Sequence, residues 1–321
     1  MPKAIFFTDI PPEITALFLE QAPPSFEVGV YSSRLSDDEK ISLLKDANFA
    51  ILFPGRISER VLRSAPHLKL IQLVSAGYEG MDLSLCRELG VPVANNGGAN
   101  AIDVAEHTIG LILSFYRHFS ALDQSVREGR WNAINAELSA YTIHGKTAGV
   151  IGLGNIGRRV ALLLKAFGAQ VLYYDDYAPP LSADETSGLT QVSLSTLLAQ
   201  VDIVTLHVPL TPETKGLIGR DELAAMKPTA LLVNTCRGRV VDEVALIEAL
   251  QRRQILGAAL DVFDREPPAP DNPLLKLDNV LLTPHVAGAT YDTWERRGKF
   301  VFENLQRVWG GQPPLAVVSA P

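Results

Sequence analysis

Thr147-Ala-Gly-Val-Ile151-Gly152-Leu-Gly154-Asn-Ile-Gly157 decides the fold, because a short apolar run passes straight into a G-x-G-x-x-G turn. The turn opens a helical pattern over Asn155–Phe167, in which Ile156, Val160, Leu163, Leu164 and Phe167 fall on one face. Strand, glycine turn and helix in that order aim backbone N–H groups and the positive end of the helix dipole at one point, which suits a pyrophosphate. The next apolar run ends at Asp175, 18 residues past Gly157, where a carboxylate can accept the hydroxyls of a ribose. Gly152, Gly154, Gly157 and Asp175 are therefore the expected contacts of a dinucleotide. Asp176 follows, and no Lys or Arg stands between Lys165 and Lys215. A 2′-phosphate would meet two carboxylates and no local cation, so NAD is expected in preference to NADP.

Outward from this unit, short apolar runs alternate with helical patterns along most of the chain. Ala4–Phe7, Phe49–Phe53, Leu70–Val74 and Val91–Ala94 read as buried strands on the N-terminal side. Ala148–Leu153, Gln170–Asp175, Asp202–Leu206, Ala230–Asn234, Gly257–Val262 and Asn279–Leu282 form a second set. The alternation implies an α/β protein of βαβ units and two doubly wound parallel sheets. Asn95–Asn100 is rich in turn residues and precedes a long helical pattern, Ala101–Phe119, while Ala287–Thr290 is a second candidate hinge. The expected domains are discontinuous: residues 1–98 with 289–321, and residues 99–288. Closure about the two hinges would exclude water from a bound substrate. The Pro- and Gly-rich tail from Gly310 to Pro321 is expected to be loosely held.

The whole chain, 321 residues and 34.9 kDa with 47% hydrophobic and 20% charged residues, has the composition of a globular protein and excludes a disordered or fibrous one. A net charge of −7 argues against a nucleic-acid partner. Cys86 and Cys236 are too few for a disulfide framework or a structural zinc site, and no metal is expected. Met1–Glu13 lacks the features of a signal peptide, and Ile109–Tyr116 falls short of the roughly 18 apolar residues of a membrane span. A cytoplasmic, membrane-free protein is expected.

In an open parallel sheet, ligands sit at the carboxyl ends of the strands. Three such ends carry polar groups: Thr235-Cys236-Arg237-Gly238-Arg239, Asp264-Arg265-Glu266-Pro267 and Thr283-Pro284-His285. Singly, each has an ordinary explanation as a surface charge or a structural histidine. Beside a nicotinamide they make chemical sense. Reducing a 2-keto acid needs a proton donor at the carbonyl oxygen, for which His has the right range. It also needs a forked cation for the carboxylate, which Arg supplies. A Glu next to the His would stabilise imidazolium and fix its tautomer.

The ordered set G-L-G-N-I-G, T-C-R-G-R-V-V-D, D-V-F-D-R-E-P and T-P-H-V-A-G resembles the D-isomer-specific 2-hydroxyacid dehydrogenase family over essentially the whole chain. The resemblance implies a Rossmann NAD-binding domain inserted in a flavodoxin-like substrate domain. It implies that Arg237 binds and polarises a small 2-keto or 2-hydroxy acid, that Glu266 supports His285, and that His285 is the acid/base. Ser75, Ala76 and Gly77, with Asn100, match substrate positions of the family. Thr108, in Glu106-His107-Thr108, opens the cofactor domain. By the same likeness Asn155 and Ile156 contact pyrophosphate, His207, Val208, Pro209, Thr235 and Cys236 line the adenosine and ribose side, Asp261 and Gly288 hold the nicotinamide carboxamide, and Arg237 and His285 also touch the cofactor.

Glu266 separates the chain from formate dehydrogenases, which resemble it but carry Gln there, and Ser75–Asp82 has no Lys of the kind found in phosphite-oxidising relatives. The chain is expected to leave no room after residue 310 for the regulatory domain of many phosphoglycerate dehydrogenases. A phosphoglycerate dehydrogenase without that domain, and a non-catalytic NAD(H)-sensing protein of the same fold, are the alternatives. Arg56 could meet a second anion but reads more readily as a solvated charge, and Tyr78 and Met81 are as consistent with core as with a substrate wall. Trp131 matches a position that some relatives insert into a neighbouring subunit. Together with the apolar helix from Ala101 it suggests a homodimer.

Overall fold

The computed structural model describes residues 1–131, 139–176 and 188–318. The chain divides into two compact units, Met1–Asn100 with Ala289–Pro321, and Ala101–Gly288. The break after Asn100 has a local cause. Asn96 Nδ2 donates to Asn100 Oδ1 at 3.0 Å, and the Gly97 and Gly98 amides donate to the side chains of Asn95 and Asn96. Phe300 packs so closely on Gly97 that an added Cβ would lie 2.3 Å from its ring. These turn residues are thereby tied into the first unit.

The first unit is a five-stranded parallel sheet built from β1 (Lys3–Thr8), β2 (Glu27–Tyr31), β3 (Phe49–Phe53), β4 (Leu70–Leu73) and β5 (Val93–Ala94), in the order β2-β1-β3-β4-β5. This is the flavodoxin-type winding. Successive residues of a strand feed opposite faces. Ile5 and Phe7 join a core with Leu44, Leu52 and Leu85, whereas Ala4 and Phe6 join one with Phe18, Val301 and Phe302 of the flanking helices. The helix Tyr291–Trp309 is pinned to the sheet by a buried polar pair, Asn304 Nδ2 donating to Gln72 Oε1 at 2.7 Å.

The tail corrects an expectation. Leu315 exchanges two hydrogen bonds with the Asn304 side chain, Ala94 bridges Val317, and Val318 N–H donates to Val93 O at 2.8 Å. The short strand β5 has an open edge, and satisfying its backbone groups holds the chain as far as Val318.

The second unit is a seven-stranded parallel sheet: β6 (Thr147–Ile151), β7 (Gln170–Tyr174), β8 (Leu189–Gln191), β9 (Ile203–Leu206), β10 (Leu231–Asn234), β11 (Gly257–Leu260) and β12 (Val280–Leu282). Its order, β12-β11-β10-β9-β6-β7-β8, is the dinucleotide-binding winding with one further strand. Leu231 and Val233 face a core with the helices Ala101–Arg117 and Asn155–Ala166, and Leu232 faces one with the helices at 194–200 and 243–251. The long helix ends at Arg117 rather than Phe119. His118 takes φ 54°, turning the chain into a second helix, Phe119–Arg127. Trp131, at the border of the described residues, is 83% exposed.

Candidate active site

Because every strand of the second unit is parallel, its carboxyl ends share one edge, and the winding reverses between β6 and β9. Ligands bind at such a reversal. There the chain runs from Ile151 into the glycine turn, and each glycine has its own reason. Gly152 sits at φ +91°, and an added Cβ would lie 2.6 Å from His207 O. At Gly157 a Cβ would lie 1.9 Å from Gly152 O, so only glycine lets the helix approach the strand. Gly154 meets nothing within 4 Å, and as N-cap of the helix Asn155–Ala166 it supplies no side-chain cap. The first amides of the helix thus have no side-chain cap and the turn has free space beside it, a cradle that fits a pyrophosphate.

Asp175 stands beside this turn and accepts from Leu153 N–H at 2.6 Å, while Arg158 Nε donates to Leu153 O at 2.9 Å. The turn is clamped on both sides of Leu153. Arg158, outside the cation-free stretch between Lys165 and Lys215, is thus a cation bonded to the turn itself. The hydroxyl of Tyr174 donates to Asp176. Asn155 is exposed and Ile156 half-buried at the mouth of the turn.

Across the reversal, β9 leads into His207-Val208-Pro209. Both ring nitrogens of His207 are shielded from water and lack a hydrogen-bond partner among the described residues, and burial pushes its pKa down to about 3. The imidazole is neutral at ordinary pH. An unfolded His takes up its proton near pH 6.5, whereas the folded one resists until about 3. The unfolded state therefore binds more protons in that window, and stability is lost as pH falls through it. We expect His207→Leu, measured without cofactor, to flatten the fall of Tm between pH 6.5 and 4; an unchanged slope would contradict this.

The end of β10 is held by Asn234. Its Oδ1 accepts from Cys236 N–H at 3.0 Å and from the thiol at 3.1 Å, and its Nδ2 donates to Arg237 O at 3.0 Å. Burial pushes the Cys236 thiol up to about 11, so it stays protonated. Thr235 Oγ1 lies 3.1 Å from Thr108 Oγ1, which joins two of the expected cofactor residues. Arg237 Nη1 donates to Cys236 O at 2.6 Å. Next to it an added Cβ on Gly238 would lie 1.9 Å from the carbonyl of Phe263, so β10 and β11 bring their loops into backbone contact there.

That contact matters because Phe263 N–H donates to Glu266 Oε1 at 3.1 Å, and Glu266 Oε2 lies 2.6 Å from His285 Nδ1. With Nδ1 committed to the carboxylate, Nε2 is the nitrogen left for a substrate. His285 is exposed, has φ 55°, and donates its backbone N–H to Asp261 O at 2.8 Å.

Asp261 is fully buried. Its carboxylate accepts from Thr283 Oγ1 at 2.6 Å, Val286 N–H at 2.9 Å and Ala287 N–H at 2.8 Å. It holds the histidine loop, which ends at the half-buried Gly288. Thr283 and His107 in this network, and Arg158 at the turn, were not singled out from sequence. Only the T-P-H context of Thr283 hinted at a role.

In the first unit, the loop after β4 places Ser75, Ala76 and Gly77 half-buried, with Ser75 Oγ donating to Gly77 O at 2.8 Å and Asn95 Nδ2 to Ala76 O at 3.0 Å. Asn100 is buried against Asn96. Met81 belongs to the core and Tyr78 packs against it, while Arg56 is exposed. Among the described residues no group of three or more His, Cys, Asp or Glu could hold a metal ion, and no helix is long and apolar enough to cross a membrane.

Fold and site define a dinucleotide-binding α/β protein with a His–Glu pair on the edge that carries the glycine turn. Residues 109–287 match the NAD binding domain of the D-isomer specific 2-hydroxyacid dehydrogenases, and the chain belongs to that family. It is 40% identical to a D-3-phosphoglycerate dehydrogenase of Archaeoglobus fulgidus over 83% of this chain, but spans only 50% of that relative's length. It is 39% identical to a glyoxylate reductase of Korarchaeum cryptofilum, covering 94% of this chain and 89% of the relative. Among solved structures it is similar to an NADPH-dependent glyoxylate/hydroxypyruvate reductase of Sinorhizobium meliloti, with 30% identity, 99% and 98% coverage and a TM-score of 0.83.

Proposed function

We propose that the protein is an NAD(H)-dependent D-2-hydroxyacid dehydrogenase that reduces a small 2-keto acid. The observation that carries the reading is the 2.6 Å contact of His285 Nδ1 with Glu266, which leaves Nε2 to exchange a proton with substrate. The nicotinamide cofactor, when bound, supplies the hydride in reduction and accepts it in oxidation. Gly152, Gly154, Asn155, Ile156 and Gly157 would hold its pyrophosphate and Asp175 its ribose. Thr108, His207, Val208, Pro209, Thr235, Cys236, Asp261 and Gly288 would line the remainder.

In reduction, imidazolium at His285 gives its Nε2 proton to the carbonyl oxygen. Glu266, as a carboxylate, accepts from Nδ1–H, so that proton stays on the ring and the ring's charge is offset. In oxidation, neutral Nε2 takes the hydroxyl proton. Arg237 binds the substrate carboxylate through its fork of N–H donors and polarises the carbonyl. Ser75, Ala76, Gly77 and Asn100 are further substrate contacts in this reading. The exposed Trp131 supports a homodimer in which it is covered.

The test is NADH oxidation against 2-keto acids of increasing side-chain size, with NADPH in parallel. Turnover of one or a few keto acids is expected, with kcat/KM at least tenfold higher for NADH than for NADPH, a preference of ~1.4 kcal/mol. NADH binding without turnover of any keto acid would favour a sensing role. A preference for NADPH would overturn the reading drawn from Asp175 and Asp176.

A further inference from the structure

We propose that Thr283, backed by His107, is a positioning residue that holds His285 against Glu266; the inference rests on the reading that His285 moves the proton. Three observations within the second unit carry it. The Thr283 hydroxyl donates its one proton to Asp261 Oδ1 at 2.6 Å. A hydroxyl so committed can only accept from another group, and His107 Nε2 lies 3.2 Å from Thr283 Oγ1. His107 therefore carries its proton on Nε2 and donates it to Thr283. At 3.7 Å from Asp261 Oδ1 the ring reaches the carboxylate through the threonine rather than directly.

The third observation is what the buried carboxylate holds. Asp261 carries the histidine loop on both sides of His285: Thr283 before it, and the amides of Val286 and Ala287 after it. Between them His285 adopts φ 55°, a conformation that a side chain with a Cβ rarely takes and that the surroundings must impose. Asp261 is itself anchored, its N–H donating to Asn234 O at 2.9 Å in the neighbouring strand end. The chain of contacts runs from the helix Ala101–Arg117 through His107, Thr283 and Asp261 to the backbone of His285. Without the threonine hydroxyl, the Asp261 carboxylate would lose its hold on the N-terminal side of the loop, which would rest there on the backbone bonds Thr283 N–H to Leu260 O and His285 N–H to Asp261 O. His285 could then leave its left-handed conformation, and with it Glu266.

The test uses the full-length protein with Thr283→Val, Thr283→Ser, His107→Phe and His107→Gln. The valine is isosteric and lacks the hydroxyl; the serine keeps it. Displacement of a catalytic group by about 1 Å costs on the order of 100-fold in rate. Thr283→Val is accordingly expected to lower kcat by roughly 10–100-fold with KM for the keto acid changed less than about threefold, and Thr283→Ser to restore kcat. His107→Phe should fall in the same direction and His107→Gln, which retains an N–H donor, should fall less.

A spectroscopic arm needs no turnover. Long-range 1H–15N correlations in histidine-labelled protein report each ring's tautomer, which is set by the bond its other nitrogen makes. His285 is expected as Nδ1–H in the wild type and in Thr283→Ser. It should shift to the Nε2–H form of free imidazole side chains in Thr283→Val, while His107 is Nε2–H in the wild type. An unchanged His285 tautomer and kcat in Thr283→Val would overturn the proposal, as would a kcat loss not rescued by serine. If Thr283→Val does not fold, the His107 pair decides by the same two readouts. If the wild type turns over no keto acid, the dehydrogenase reading fails, and the tautomers still decide whether Thr283 positions His285.

Discussion

His285→Asn is expected to lower kcat for keto acid reduction by roughly 10²–10⁴-fold, the usual contribution of a positioned general acid, while leaving NADH affinity and Tm close to wild type. Asparagine is the informative replacement because the backbone here sits at φ 55°, a region that Asn tolerates better than Ala does. The loop that Asp261 holds through Val286 and Ala287 then keeps its shape, and the proton donor alone is removed. Glu266→Gln makes a graded companion. It still accepts from Phe263 N–H but no longer carries the charge that faces His285 Nδ1, so a smaller loss, on the order of 10–100-fold, is expected. Steady-state kinetics with the best keto acid, together with fluorescence titration of NADH, separates the two effects. Activity of His285→Asn within tenfold of wild type would assign the proton to another group.

How much of this was legible in the sequence follows from what each residue needs. Central strands are buried on both faces and write themselves as continuous apolar runs: Phe49–Phe53, Ile203–Leu206 and Leu231–Asn234 fall within the runs read as strands. β2 and β8 do not stand out as apolar runs, and both are outer strands with one neighbour and exposed or half-exposed side chains. Their pairing is imposed by the adjacent strand, which a local pattern does not record. The same division runs through the site. Gly152, Gly157 and His285 are bound to recognisable runs of residues. The Asp261 carboxylate, by contrast, spends itself on partners 22 to 26 residues away in sequence, and His107 meets Thr283 across 176. Such contacts exist only once the parallel sheet has aligned its strand ends. The reading of a loose C-terminal tail failed for the same reason, since the open edge of β5 that holds it is a tertiary feature.

The glycine turn separates folding from binding within four residues. Gly157→Ala would place a Cβ 1.9 Å from Gly152 O, a backbone atom that cannot swing aside, so strand and helix must part. Overpacking of this kind costs about 1–3 kcal/mol or more, and at ~2–4 °C per kcal/mol a drop in Tm of several degrees is expected in the absence of any cofactor. Gly154→Ala should behave oppositely. Its φ of −72° is ordinary for alanine and nothing lies within 4 Å of the added methyl. Removing a glycine also restricts the unfolded chain, which stabilises by ~0.4–1 kcal/mol at compatible positions. Tm should therefore hold or rise slightly. The methyl adds bulk at the N-cap of the helix Asn155–Ala166, which has no side-chain cap and where a glycine lets the backbone approach a pyrophosphate. NADH affinity is expected to fall by at least about tenfold, or ~1.4 kcal/mol. Differential scanning calorimetry and NADH titration on both variants test the separation. Wild-type NADH affinity in Gly154→Ala would remove the turn from the cofactor site, and an unchanged Tm in Gly157→Ala would mean that the helix and strand are not held as closely as Gly152 and Gly157 require.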